Sequence, residues 1–246
     1  MYQLGLLQQD AARNGLNLFG LVDAASFDAA QPRERRAGAL LPGCGSILVV
    51  GRGGSAALQG QRGPGRARVA AVRAADAAAQ VLSARLTAAG LRHLRLRSVE
   101  AKMRFRQLGE AAGFGVVSPV SGMLLHPVFG PWLFVEAALL VEGSPFGAIN
   151  EGAQFAGFQP CSTCAQPCVA TCSSLAIDLH GRVTRGRCGD PRRGGGCADS
   201  CDARLACPAG AASAWRSVRA HIPEHSPRQP SLGWWSPSLR GAQAQR

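Results

Sequence analysis

Apolar and polar positions along the N-terminal half of the chain follow the two periods of regular structure. Leu4, Leu7 and Ala11 lie three and four residues apart and Asn14-Gly15 ends the pattern, which predicts a short helix leading into a strand at Leu18 to Val22. Ser46 to Gly51 is apolar through its middle and predicts a second strand, buried on both faces. Val69, Val72, Ala75, Ala79, Leu82 and Leu86 then recur at helical spacing, with Arg66, Arg68, Arg73 and Arg85 mostly off that stripe and Gly90 as the stop. That is the pattern of a surface helix packed on a sheet. Leu94 and Leu96 alternate with Arg95 and Arg97, as in a strand with one wet face, and a short helix is expected over Arg104 to Ala112. From Gly122 to Glu136 two apolar runs flank a Pro/Gly turn, which reads as a hairpin or strand pair.

Helices and strands therefore interleave up to about residue 145, the signature of an α+β protein with a layered α/β body. Beyond it Gly, Pro and Cys take over. Residues 146–215 form a second unit, in which Phe146 to Pro208 lacks the apolar material for a core of its own, so another kind of bond has to hold it. Residues 216–246, with Pro223, Pro227, Pro230 and Pro237, read as an irregular tail whose Trp234-Trp235 packs back on the body or docks a partner. The 246 residues, 46% hydrophobic and 6% aromatic, suffice for one large or two small domains. The longest mainly apolar stretch, Trp132 to Val141, is too short to span a bilayer and contains Glu136. The first thirty residues carry no export signal, so a soluble, cytoplasmic protein without membrane association is expected.

Eight of the nine cysteines fall between Cys161 and Cys207. Such crowding without an export signal points to metal ligation rather than disulfides. Cys44, in Pro42-Gly43-Cys44-Gly45, is read as a bystander. The first run is Cys161-x2-Cys164-x3-Cys168-x3-Cys172; Cys188 follows, then Cys197-x3-Cys201-x5-Cys207-Pro208. Thiolates this dense, with Gly and Pro between them, can wrap cuboidal clusters, each of which takes four soft ligands from a sharply bent backbone. In two-cluster ferredoxins the fourth cysteine of a run serves the other cluster. By that rule Cys161, Cys164, Cys168 and Cys207 hold one 4Fe-4S cluster, and Cys172, Cys188, Cys197 and Cys201 a second. Pro208 is the usual ferredoxin punctuation, while Ser173 stands where the first run would have its proline. Two four-cysteine zinc sites are the rival, although only Cys161 and Cys164 form the CxxC pair that zinc sites favour.

Charge adds less. The net charge of +12 rests almost wholly on arginine, Lys102 being the only lysine. Between Arg52 and Arg106 stand twelve basic residues against two acidic ones, a positive face suited to an acidic redox partner protein, a nucleotide or RNA, or else plain solvated charge. No aromatic platform or nucleic-acid motif accompanies it. The glycines after the second strand, Gly51, Gly53, Gly54 and Gly60, match no phosphate loop. Two residues are weak candidates for proton handling or ligation. His126, beside Pro127 at a turn, serves there or makes a structural hydrogen bond. Glu136, in an apolar strand, is a half-buried acid or the partner of an arginine. Trp132 and Phe129 read as core, His93 as a strand-surface residue, and His180 as solvent-exposed or as a tuner of a cluster potential.

The order of parts resembles epoxyqueuosine reductases and, more distantly, reductive dehalogenases. The resemblance runs over most of residues 10 to 210: the strands Leu18 to Ala24 and Pro42 to Gly51, Leu108-Gly-Glu-Ala-Ala-Gly-Phe-Gly115, Leu124-Leu-His-Pro-Val-Phe-Gly-Pro-Trp132, and the two cysteine runs. It implies a nitroreductase-like body in residues 1–145 that binds a cobalamin, and a ferredoxin-like module whose clusters pass electrons to the cobalt. Arg52-Gly-Gly-Ser-Ala stands after the second strand where epoxyqueuosine reductases carry an aspartate-tyrosine-histidine signature, and no position takes the family's proton-donating carboxylate. The uneven second run, ending in Ala203-Arg204-Leu205-Ala206-Cys207-Pro208, is similar to short 4Fe-4S ferredoxin-like members of the group. The sequence thus ranks an electron carrier that docks a partner oxidoreductase first, a cobalamin-dependent reductase second, and an RNA-interacting protein with structural clusters third.

Overall fold

The computed structural model describes residues 3–54, 57, 66–100, 102–147, 155, 157–178, 183–184, 186–188 and 201–210. Cys197, His180, Gly60 and residues 211–246, with Trp234 and Trp235, lie outside them.

Helix α1 (Leu4–Arg13) leads into β1 (Leu18–Asp23), α2 (Ala24–Ala29), α3 (Ala37–Leu40) and β2 (Cys44–Gly53). The long α4 (Arg66–Ala88) precedes β3 (His93–Arg97), and α5 (Phe105–Ala111) precedes β4 (Val116–Val117), β5 (Leu124–Leu125) and β6 (Leu133–Glu142). Four strands make one sheet, ordered β1-β2-β6-β3, and every neighbouring pair is antiparallel. Among the described residues no helix is long and apolar enough to cross a membrane.

The sheet is covered on both faces, which explains the unbroken apolar runs of its two central strands. Alternate side chains of a strand point to opposite faces. Ile47 and Val49 of β2 and Ala138 and Leu140 of β6 enter a core with Phe27, Leu41 and Leu108 of the α2, α3 and α5 side. Leu48 and Val50, with Ala137, Leu139 and Val141, enter a second core against Leu7 and Ala11 of α1 and Ala75, Ala78, Ala79, Leu82 and Leu86 of α4. Val72 is not part of that stripe; it is 39% exposed, and Ala78 takes the inward place. Of the polar side chains of β3, only Arg97, 49% exposed, is wet. His93 Nε2 lies 2.6 Å from Ser83 Oγ, and Arg95 pairs with Asp76, so α4 covers this edge through polar contacts.

The two apolar runs around the Pro/Gly turn do not pair with each other as a hairpin. Leu124 and Leu125 turn back to pair with Val117 and Val116, while Leu133 onward crosses into the main sheet between β2 and β3. Only His126 and Gly130 bridge the turn itself. β6 carries a bulge against β2: Val50 is opposite Ala137 and Gly51 opposite Val135, so Glu136 is the extra residue. At the end of β2, Asn17 imitates another strand, accepting the Gly53 N–H at 2.8 Å and donating to the Gly53 carbonyl at 3.1 Å. Asn17→Ala leaves both half-buried groups without that partner and is expected to cost about 1–2 kcal/mol in urea unfolding; a loss below the error of the method would contradict this role.

A third apolar cluster lies outside the sheet. It combines Cys168, Cys172, Cys207, Ala176, Ala203 and Ala209 with Met123 and Leu125 of the body, and Cys161, Cys188 and Cys201 pack against it. Apart from Phe158, Val169 and Ile177, which pack against it half-buried, the segment itself contributes only thiols and alanines.

Candidate metal centre

The cysteine-rich segment is shaped by tight turns rather than long elements. The Cys164 N–H donates to the Cys161 carbonyl at 3.4 Å, and the Gln166 N–H donates to Cys164 Sγ at 3.3 Å. Gln166 itself takes the left-handed conformation, φ 55°, which reverses the chain into the single turn α6 (Pro167–Ala170) that carries Cys168. Pro167 at the first helical position suits that start. Farther on, Cys207 sits immediately after α7 (Asp202–Ala206), and α6 packs against α7.

These turns bring four thiols together. Cys161, Cys164, Cys168 and Cys207 line one cavity, walled by Ser118, Val120, Ser121, Leu125, Pro160, Gln166, Pro208 and Ala209. Burial pushes the Cys207 thiol up to about 11, and charge on Cys168, Cys161 and Cys164 pushes the same way. Cys168 is raised for the same two reasons, burial first and then Cys161 and Cys164. A soft cation placed among the four sulfurs would offset the burial that raises Cys168 and Cys207, which is the chemistry of a soft metal site. Among the described residues no three His, Cys, Asp or Glu side chains are placed to hold a single metal ion, and the described cysteines carry no disulfide.

Of the second set, Cys172, Cys188 and Cys201 reach the same apolar cluster. The bridge between Ile177 and Val183 and the Thr184 N–H to Ala176 carbonyl bond, 2.8 Å, fold the chain back so that Cys188 returns toward Cys172. Burial raises Cys172, but a hydrogen bond from Ser174 and the backbone around Ala176 and Ile177 bring it below the ordinary thiol value.

The last cysteine is fixed to the body by a close backbone crossing. Gly130, φ 56°, lies against the Ala209 carbonyl and Gly210, where a side chain on either glycine would collide with main chain. Arg204 of α7 donates to the Pro131 carbonyl and stacks over Phe134 at 4.5 Å and Trp132 at 5.8 Å. Neither role of Arg204 nor that of Ser118, whose Oγ is 3.3 Å from Cys161 Sγ, has a signature in the sequence.

The other candidates stand apart from the thiols. His126 Nδ1 accepts the N–H groups of Val128 at 2.9 Å and Phe129 at 3.2 Å, and the ring stacks on Phe129. Its structural hydrogen bonds close the turn, and they leave the proton on Nε2 while burial holds the ring below the usual histidine range. Glu136 is aimed by its bulge at Arg52, whose Nε donates to Oε1 at 2.9 Å; burial raises the carboxyl and the Arg52 charge opposes this without cancelling it. Neither residue lines the thiol cavity. Cys44 lies at the start of β2, its thiol raised to about 11 by burial and the charges of Asp28 and Asp23. After chelation of any metal, its alkylation by iodoacetamide at pH 8 is expected to be roughly two orders of magnitude slower than that of a free thiol; peptide mass spectrometry showing equal rates would contradict this.

Five of the twelve basic residues from Arg52 to Arg106 are ion-paired among the described residues. Arg52, Arg85, Arg92, Arg95 and Arg97 pair with Glu136, Asp10, Glu142, Asp76 and Glu100. Three of these five carboxylates come from outside the Arg52 to Arg106 segment, so its local charge count overstates the positive field.

No family model matches the sequence, and no curated protein is similar to it in sequence. Solved structures are similar in fold. The epoxyqueuosine reductase of Streptococcus thermophilus superposes with a TM-score of 0.56 over 87% of this chain and 67% of its own, at 13% identity. The catabolic reductive dehalogenase NpRdhA, in complex with 3-bromo-4-hydroxybenzoic acid, reaches a TM-score of 0.61 over 89% of this chain and 34% of its own, at 17% identity. The fold is that of the epoxyqueuosine reductases and reductive dehalogenases. A further epoxyqueuosine reductase, solved with an epoxyqueuosine-modified tRNA stem loop, matches with a TM-score of 0.51 at 16% identity over 74% of this chain. The chain spans 55% and 64% of the length of two of the epoxyqueuosine reductases it matches.

Proposed function

We propose that this chain is an iron-sulfur oxidoreductase in which two 4Fe-4S clusters on the cysteines from Cys161 to Cys207 exchange electrons between a redox partner protein and the α/β body. The observation that carries the reading is the shared cavity of Cys161, Cys164, Cys168 and Cys207, the four thiols that the ferredoxin rule groups together. The second cluster is assigned to Cys172, Cys188, Cys197 and Cys201, with Cys197 placed by that rule alone. The chain then divides into a body at 1–145, a cluster module at 146–215 and a tail. Zinc is the weaker reading: four-cysteine zinc sites favour paired CxxC spacings, and only Cys161 and Cys164 form one. Anaerobic reconstitution tests the choice. Broad visible absorption that bleaches on reduction supports clusters; a colourless protein that retains zinc contradicts them.

Within this reading the fold favours a cobalamin-dependent reductase over a plain electron carrier, reversing the order that Arg52-Gly-Gly-Ser-Ala gives. The similar proteins are epoxyqueuosine reductases and a reductive dehalogenase whose structure suggests a mechanism for B12-dependent dehalogenation. The described residues beside the thiols, however, offer no cradle for a corrin. Phe129 packs on Gly53 and Gly54, and a larger cavity, between α2 and α5 around Phe27, Gln31, Arg104 and Gln107, shares no lining residue with the thiol cavity. Retention of added cobalamin on desalting after cluster reconstitution decides between the two forms: stoichiometric retention supports the reductase, and complete loss supports the carrier.

A tRNA-bound epoxyqueuosine reductase among the similar folds keeps nucleic acid as a third partner class. The five ion-paired arginines weaken its electrostatic basis. Binding of a tRNA stem loop that falls steeply with salt would support it, and no binding at low ionic strength would remove it.

A further inference from the structure

We infer that two seryl hydroxyls, Ser118 and Ser174, set the reduction potentials of the two clusters separately, each by donating a hydrogen bond to one ligand sulfur. The inference rests on the cluster reading above. In each set of four cysteines a serine lies at hydrogen-bond distance from one described thiol: Ser118 Oγ is 3.3 Å from Cys161 Sγ, and Ser174 Oγ is 3.4 Å from Cys172 Sγ.

The direction of the Ser118 bond follows from what else its oxygen does. Ser118 is 3% exposed, and its Oγ accepts the N–H groups of Val120 at 3.2 Å and Ser121 at 3.0 Å. A hydroxyl has two acceptor lone pairs and one hydrogen. Both lone pairs are engaged by the backbone, so the hydrogen is the part left for the sulfur. The residue cannot easily turn away. Its N–H donates to the Met123 carbonyl at 2.7 Å and its carbonyl accepts the Gly122 N–H at 2.9 Å, closing the loop from Ser118 to Met123 on itself. This loop belongs to the body, whereas Cys161 belongs to the cysteine segment, so the body reaches across to one ligand of the first cluster.

Ser174 is the local counterpart, two residues beyond Cys172 in the turn where the Leu175 N–H donates to the Cys172 carbonyl at 2.8 Å. Among the described residues its hydroxyl carries no backbone load comparable to that of Ser118. Ser118 is thus a positioning residue as well as a tuner, and Ser174 a tuner alone.

Reduction of a 4Fe-4S cluster adds one electron, and the added charge spreads onto the ligand sulfurs. A hydroxyl aimed at a sulfur stabilises the more negative, reduced form more than the oxidised one and so raises the potential. Removing it shifts the balance toward the oxidised form, by about tenfold in the ratio of the two, which for one electron is 59 mV.

The experiment is an anaerobic redox titration of the full-length reconstituted protein, followed by electron paramagnetic resonance of the reduced clusters, with iron and sulfide counted in every sample. Ser118→Ala is expected to move one of the two one-electron waves to lower potential by about that amount, Ser118→Thr to restore it, and Ser174→Ala to move the other wave only. Unmoved waves in both alanine variants at full iron content would overturn the inference while leaving the clusters in place. Absence of iron and sulfide from the unmutated protein would instead remove the reading beneath it. If Ser118→Ala loses its cluster through the two released backbone N–H groups, Ser174→Ala decides: a wave that stays where it was overturns the proposal.

Discussion

Cys164→Ser is expected to lose about half of the iron and to loosen the segment from Phe155 to Gly210, while the sheet of the body stays folded. The physical reason is the composition of the third apolar cluster, in which the segment's own buried residues are thiols and alanines, joined by half-buried Phe158, Val169 and Ile177 and a few side chains lent by the body. Such a cluster buries little hydrocarbon, so metal-ligand bonds have to supply the stability that a core supplies elsewhere. Cys164 is a sharp probe because it both lines the cavity and accepts the Gln166 N–H that helps set the left-handed turn into α6. A serine oxygen is a harder, less acidic donor that replaces thiolate poorly toward iron. Iron analysis gives the first part; limited proteolysis gives the second, with new cleavage confined to the cysteine-rich segment. Full iron content together with an unchanged cleavage pattern would contradict the assignment of Cys164.

Arg52→Met is expected to destabilise the body by about 3–5 kcal/mol at pH 8, the usual consequence of leaving one member of a buried ion pair alone. Arg52 and Glu136 are 13% and 11% exposed, and the bulge in β6 leaves Glu136 little choice of direction. The loss depends on pH in a defined sense. Burial already raises the Glu136 carboxyl above its ordinary value, and removing the Arg52 charge raises it further. A carboxyl raised on folding contributes stability that is present below its unfolded pKa and lost as pH rises through the folded one. The variant should therefore recover toward acidic pH and be worst in alkali. Adding Glu136→Gln should restore much of the loss at pH 8 and flatten the pH dependence. Urea unfolding at several pH values checks this, and an equal loss throughout would mean that Glu136 is not the group responsible.

These two sites also mark what a sequence can reveal. The apolar stripe of α4 and the runs of β2 and β6 were legible because burial on both faces of a sheet leaves long stretches without charge. The edge strand β3 was harder: Arg95 and His93 look wet in sequence, and only the position of α4 shows that Asp76 and Ser83 meet them. Pairing of the runs around Pro127 was misread for a related reason. Two apolar runs beside a turn satisfy the rule for a hairpin, yet the choice of partner was made by Val116 and Val117 earlier in the chain and by the open edge of β2. At the cysteines, the two-cluster ferredoxin rule groups Cys207 with Cys161, Cys164 and Cys168, and these four line one cavity. Ser118 and Arg204 escaped notice, since a lone hydroxyl or guanidinium has a role only once a sulfur or a ring is brought to it.

The central claim is that iron and sulfide, gripped by the cysteines from Cys161 to Cys207, stand in for a missing apolar core and carry electrons. Quantifying iron and acid-labile sulfide in protein purified without oxygen tests it most directly. The account predicts about eight of each per chain, as two 4Fe-4S clusters require; a folded protein containing neither would contradict it.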